Sequence, residues 1–122
     1  MKRERFEQIV AEAMQQLPPR FREAIDNVAI RVQDAPTRAQ LRDWDIDPDE
    51  ILLGIYVGIP LTERTTNYNL VAPDLIYLFQ RSIEEECENE DEMREVIRHT
   101  LFHEVAHYFG IDDDRLEELG AY

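Results

Sequence analysis

The segment from Asn89 to Gly110 constrains the fold of this 122-residue chain more than any other. Its apolar residues recur every three or four positions, which is the period of an α-helix. The apolar face that they trace comprises Met93, Val96, Ile97, Thr100, Leu101, Val105 and Tyr108. Asn89 followed by Glu92 is typical of a helix N-cap, and Gly110 is a natural C-terminal cap. The segment therefore predicts one helix of about twenty residues, against which the rest of a small chain must pack.

Shorter patterns predict the remaining elements. Helical spacing of apolar residues runs from Arg3 to Leu17 and ends at Pro18-Pro19. The predictions for the other segments are strands at 28–32, 51–59 and 75–79, a short turn at 21–27, loops at 34–50 and 61–73, a solvated acidic turn from 84 into the long helix, and a brief helix at 114–119. The strand at 51–59 is apolar on both faces, so we expect it to be covered on both sides. Within it, Gly54 and Gly58 mark a bulge or a close backbone approach.

The charge balance excludes several classes of partner. The chain has 13 Lys and Arg against 27 Asp and Glu, a net charge of -14, so it repels phosphate backbones and nucleic acid is not expected to bind. No apolar run is long enough to cross a bilayer, so no membrane segment is predicted. The single Cys87 forms no internal disulfide, and the N-terminus lacks the apolar core of a signal peptide. We therefore expect a soluble, cytoplasmic protein.

The long predicted helix carries His103, Glu104 and His107 in the order H-E-x-x-H. Residues four apart project from the same side of an α-helix, so both imidazoles reach one cation. Glu104 lies about 100° further round the helix, where its carboxylate faces a metal-bound water. This pattern predicts two zinc ligands with a general base beside them. His99, a further turn back, is expected at the surface or next to the ligands.

Gly110 and Asp113 extend the string to H-E-x-x-H-x-x-G-x-x-D. A glycine at that point turns the chain off the helix end and brings the following residues back beneath the metal. The extended string resembles the zincin metallopeptidases whose third ligand is aspartate. The chain as a whole resembles the small bacterial zincin-like metallopeptidases, which have a minimal matrixin-like fold.

This resemblance implies both a fold and a site. The fold is α+β, with a short, about three-stranded mixed sheet packed on the N-terminal helix and on the long helix that carries the motif, in one domain over residues 1–122. The implied zinc ligands are His103, His107 and Asp113, and Glu104 is the implied catalytic acid/base. The larger metzincin clan also has a methionine turn beneath its metal, and this chain has no methionine after Met93.

The expected activity is zinc-dependent hydrolysis of peptide bonds in a peptide or protein, with Glu104 taking a proton from the zinc-bound water. An extended peptide most simply adds to an exposed edge of the sheet, alongside 51–59 or 75–79. Candidate donors to the transition-state oxyanion are Tyr68, Tyr108, Tyr122 and His99. The sequence leaves the substrate and the oligomeric state open and is compatible with a monomer.

Two other functions remain open at this point. Only nine residues follow Asp113, too few to build the usual wall of a specificity pocket, which favours a non-catalytic zinc-binding or protein-interaction module. A metal-dependent endoribonuclease is the other alternative, because one ribosomal-RNA-processing family has two histidines and a third ligand in the same register. That family has no glutamate after its first histidine and ends on histidine, so Glu104, Asp113 and the net charge disfavour it.

Overall fold

The computed structural model describes residues 1–24, 28–58 and 74–108, and in these ranges it contains five helices and three strands. In chain order they are α1 (Arg3–Gln15), α2 (Pro19–Ala24), β1 (Val28–Gln33), α3 (Arg38–Asp43), β2 (Gly54–Val57), β3 (Asp74–Phe79), α4 (Gln80–Glu85) and α5 (Glu90–Tyr108). The predicted loop at 61–73, Gly110 and the brief helix at 114–119 lie outside the described residues. The fold is α+β with a three-stranded mixed sheet, as predicted.

Strand β3 is the centre of the sheet. It pairs in parallel with β1 and antiparallel with β2. Its side chains Ile76 and Leu78 are fully buried on the face that packs against the helical core. On the other face the rings of Trp44 and Tyr77 lie 5.3 Å apart. Because residues 75–79 are paired on both sides, they offer no free edge, and of the two segments considered for peptide binding only 51–59 remains.

The core lies between this sheet and helices α1 and α5. Helix α1 contributes Phe6, Ile9, Val10 and Ala13, and α5 contributes Met93, Ile97, Leu101 and Val105. Each set recurs at the three- and four-residue spacing of one helix face, which is the spacing that the sequence predicts. Burial of these faces fixes α5 against α1 and the sheet, and it leaves the polar side of α5 to carry the motif.

Residues 34–50 contain a short helix, α3, where composition predicts only a loop. Thr37 accepts a hydrogen bond from the Gln40 amide at 3.1 Å, and the Gln40 side chain accepts one from the Thr37 amide at 2.9 Å. This reciprocal pair is a capping box, which satisfies donors at the helix start. It begins a helix among many charges, and Leu41 anchors that helix by burial.

The acidic segment begins on the last turn of a short helix, α4, and the predicted turn into the long helix follows it at 86–89, where it is largely exposed. Ile83 and Gln80 are buried, so one side of α4 faces the protein. The Gln80 side-chain nitrogen donates to the Met1 backbone carbonyl and to the Glu84 carboxylate, both at 2.8 Å, and Arg3 donates to the Gln80 side-chain oxygen at 2.7 Å. The acidic residues of α4 therefore sit on a helix that the N-terminus holds in place.

Within the described part of the apolar run, residues 51–58, a strand forms over Gly54–Val57, and it lies at the edge of the sheet. Ile51 is 71% exposed and Ile55 is half-buried, so the run is not covered on both sides as predicted. Pairing reaches one residue before β2, where the Leu53 carbonyl accepts a hydrogen bond from the Phe79 amide at 2.9 Å. The apolar character reflects contact with the core and with a cavity beside α5.

Arginine side chains form ion pairs at the surface between α1 and α5. Arg5 donates to Glu90, and Arg94 binds Glu90 at 2.9 Å and Glu12 at 3.3 Å. The hydrogen bond from Arg5 holds the pKa of Glu90 below its ordinary value of 4.5. A lowered carboxyl pKa contributes stability above the unfolded-state pKa, and this contribution is lost as the pH falls through the folded-state pKa.

We expect Arg5→Gln to make the free energy of unfolding less sensitive to acid between about pH 5 and pH 3, because the pKa of Glu90 returns toward its ordinary value. Urea unfolding at several pH values measures this slope. Arg22→Gln is the matched control, since the described contact of Arg22 is with the neutral Gln15 side chain at 3.4 Å. Identical slopes for Arg5→Gln and the unmodified protein would contradict the prediction.

Candidate active site

Helix α5 runs without a break from Glu90 to Tyr108 and so carries His103 and His107 one turn apart. It begins where the cap pattern predicts, because the Asn89 side chain accepts a hydrogen bond from the Glu92 amide at 2.8 Å. His103 is half-buried. The side chain of His107 is outside the described part of the structure.

A cavity of about 320 Å³ opens between the edge strand β2 and one side of α5. Its lining consists of Leu53, Gly54, Val96, His99, Thr100, His103 and Glu104. The structure thus brings His103 and Glu104 together at one cavity, as the motif predicts. His99 is exposed and lines the same cavity, with its ring centroid 6.3 Å from that of His103.

Gly54 permits the close packing of β2 against α5. A Cβ at this position would lie 2.8 Å from Thr100 Cγ2 and 2.9 Å from the Tyr77 carbonyl oxygen. Both distances are shorter than real Cβ contacts, so the backbone approach predicted at Gly54 is confirmed. The sequence does not identify Thr100 as part of the cavity, although this residue belongs to the predicted apolar face.

Gly54→Ala is expected to lower the free energy of unfolding by about 1–3 kcal/mol, because the Tyr77 carbonyl belongs to the central strand and has little freedom to move. Urea unfolding measures the loss. The double variant with Thr100→Ala should recover part of it, since one of the two contacts is removed, and the double-mutant cycle isolates that part. Gly54→Ala that is as stable as the unmodified protein would contradict the prediction.

The edge strand binds the Glu104 carboxylate. The Tyr56 amide donates to Glu104 Oε2 at 2.9 Å. The Phe79 amide donates to the Leu53 carbonyl, so the backbone N–H and C=O groups of odd-numbered residues point toward β3 along this strand. The backbone groups of even-numbered residues point the other way, and the Tyr56 amide therefore points away from the sheet toward α5. Glu104 therefore lies where the cavity meets the outer edge of β2. The sequence offers no signal for Tyr56 beyond its place between two glycines in an apolar strand.

Among the described side chains, no three His, Cys, Asp or Glu form a group that could hold a metal ion. The described part places His103 and Glu104 at the same cavity, with His107 one turn further along an unbroken helix. An imidazole pair at this spacing fits zinc, which takes nitrogen and oxygen ligands in catalytic sites. Asp113, the predicted third ligand, lies outside the described residues. So do Tyr68, Tyr122 and the Tyr108 side chain, which leaves His99 as the one oxyanion candidate that the structure places.

Comparison with known proteins identifies the family of this chain. Residues 25–121 match the model of the zincin-like metallopeptidase family. The chain belongs to this family. The zincin-like chain is also similar in structure to a conserved hypothetical protein from T. thermophilus, with a TM-score of 0.59 and 18% sequence identity. The similarity covers 89% of this chain and 94% of that chain, and at this identity it concerns the fold alone.

No curated protein matches this zincin-like chain. In the described ranges, none of its helices has the length and apolar character needed to cross a membrane.

Proposed function

We propose that this zincin-like protein is a zinc-dependent peptidase in which Glu104 is the catalytic acid/base. The position of the Glu104 carboxylate is the observation that carries the proposal. It lies next to His103, lines the cavity and contacts the outer edge of the sheet. Membership of a metallopeptidase family supports hydrolysis as the reaction. The cytoplasmic location and the compatibility with a monomer stay predictions from the sequence.

In this proposal His103, His107 and Asp113 hold the zinc. When bound, zinc polarises the substrate carbonyl and makes a bound water more acidic. The Glu104 carboxylate accepts the proton of the attacking water and returns it to the leaving amine. The hydrogen bond from the Tyr56 amide engages one carboxylate oxygen, Oε2, and so keeps the side chain at the cavity while the proton moves.

Strand β2 is the edge that fits an extended peptide. The backbone groups of Gly54 and Tyr56 point away from β3, and in the described ranges no strand pairs with that side of β2. A peptide added at this edge would lie beside Glu104, which the Tyr56 amide already binds. The other edge strand, β1, is less suitable because it lies on the far side of β3 from β2, the strand that contacts Glu104.

The cavity then receives one side chain of that peptide. Leu53 and Val96 give it apolar walls, and Thr100 is the neighbour against which Gly54 packs. A volume of about 320 Å³ is sufficient for a large apolar side chain. We therefore expect an apolar residue to be preferred at one position beside the cleaved bond.

A mixed peptide library tests this function. Zinc-loaded protein should cleave a subset of peptides enriched in an apolar residue at one position, and zinc-free protein should cleave none. Mass spectrometry of the products identifies the peptides that are cleaved and the residue preferred at each position. Zinc retention without cleavage of peptide or RNA would favour the non-catalytic module instead. Cleavage of RNA without cleavage of peptide would favour the endoribonuclease.

A further inference from the structure

A buried carboxylate on the central strand contacts the residue that binds Glu104. Asp74 is the first residue of β3 and is only 7% exposed. Its Oδ2 atom accepts a hydrogen bond from the Tyr56 hydroxyl. Burial of a carboxylate is costly unless hydrogen bonds compensate, so an acidic residue at this position needs a reason beyond core packing.

The surroundings of this pair leave little freedom. The Tyr56 ring packs against the core, and its hydroxyl reaches Asp74. A Cβ on Gly58 would lie 2.6 Å from Tyr56 Cε1 and 3.0 Å from Asp74 Cγ, so glycine is what makes room for the pair. The ring of Tyr56 is thus held by the core, by the backbone at Gly58 and at its hydroxyl tip.

Tyr56 joins this buried pair to the candidate active site. Its side chain binds Asp74, and its backbone amide binds Glu104 Oε2 at 2.9 Å. Fixing the side chain restricts the rotation of β2 about its own axis and hence the direction of the amide. A continuous path therefore runs from Asp74 on β3 through Tyr56 on β2 to Glu104 on α5.

We propose that Tyr56 and Asp74 are positioning residues that set the orientation of the Glu104 carboxylate through the Tyr56 amide. The consequence for catalysis rests on the proposed peptidase function, whereas the positioning itself does not. Loss of the phenol to carboxylate bond loosens the amide and leaves Glu104 less well oriented. Zinc binding is unaffected, because neither residue belongs to the proposed ligand set.

Hydrogen exchange at the residue 56 amide tests the positioning without any substrate. By NMR on the zinc-loaded full chain, Tyr56→Phe and Asp74→Ala should each lower the protection of this amide about three- to tenfold, and Asp74→Asn, which retains an acceptor, should restore it. Glu104→Ala removes the acceptor of this amide and therefore defines the largest loss of protection expected. The Ile55 amide faces β3 and should keep its protection in Tyr56→Phe, which separates a local effect from general loosening of the fold.

Kinetics on a peptide from the library test the catalytic consequence. Tyr56→Phe should lower kcat about three- to tenfold with KM unchanged, and Tyr77→Phe, on the opposite face of the sheet, should leave both unchanged. Unchanged exchange at residue 56 in Tyr56→Phe would overturn the inference whatever the activity. Faster exchange in a protein that cleaves no peptide would support the positioning and overturn the peptidase function.

Discussion

Glu104→Gln is expected to lower the rate of peptide hydrolysis by about 10²- to 10⁴-fold while the zinc stays bound. Glutamine retains the shape of glutamate and still accepts the hydrogen bond from the Tyr56 amide, so the cavity and edge strand are preserved. It cannot accept a proton from the attacking water, which isolates the acid/base role from the structural one. The measurement is kcat/KM on a library-derived peptide, together with zinc stoichiometry by elemental mass spectrometry.

Glu95→Gln is the matched control for this variant. Glu95 lies on the same helix, is exposed, and pairs with Arg98 at 2.8 Å outside the cavity. This substitution makes the same change of charge on α5, so it should leave both activity and zinc content unchanged. Full activity of zinc-loaded Glu104→Gln would show that Glu104 is not the catalytic acid/base.

Leu101→Ala is expected to lower the free energy of unfolding by about 2–5 kcal/mol. Leu101 is fully buried in the core two residues before His103, so its truncation leaves a cavity under the segment of α5 that carries the motif. A loss of that size is a large part of the total stability of a small domain. Urea unfolding of the zinc-free protein measures it without a contribution from metal binding.

The control for Leu101→Ala is Glu95→Ala, which places the same residue on the exposed side of the same helix. Surface substitutions of this kind change the free energy of unfolding by about 0.5 kcal/mol or less. An equal effect of the two substitutions would show that Leu101 is not the core anchor of α5 that its burial indicates.

The elements with a strong apolar period are those that the sequence predicts well. Helices α1 and α5 bury the faces that their spacing defines, and the start of α5 follows from the cap at Asn89. Helix α3 is missed because its signal is a short-range hydrogen-bond exchange between Thr37 and Gln40, within a segment dominated by charges. Average composition does not report such a local interaction.

The order of the strands in the sheet cannot be predicted from local sequence patterns, for a related reason. The runs at 51–59 and 75–79 are both apolar, yet one is an edge and the other is central. Which of them is central depends on partners distant in the sequence: β1 pairs with β3 across the intervening α3 and β2, and that pairing follows no periodicity. Only once β3 is central does β2 become the edge beside Glu104.

The candidate site also has a part that the sequence predicts and a part that it does not. The motif predicts that His103 and Glu104 share a site, and the structure places both at one cavity. The Tyr56 amide is not predictable from residue type, since every residue except proline has one, and only the fold decides which amide meets the carboxylate. His107 and Asp113 stay predictions, because the described structure does not include the side chain of the first or any part of the second.

Anomalous diffraction from crystals of the zinc-loaded protein, recorded on both sides of the zinc absorption edge, tests the metal site most directly. We expect one strong peak about 2.0–2.2 Å from a ring nitrogen of His103, with His107 and Asp113 completing the protein ligands. The peak should disappear in His103→Ala crystals and persist in Glu104→Gln crystals. Zinc-loaded crystals with no peak at His103, or with zinc held only by other residues, would contradict the proposed metal site.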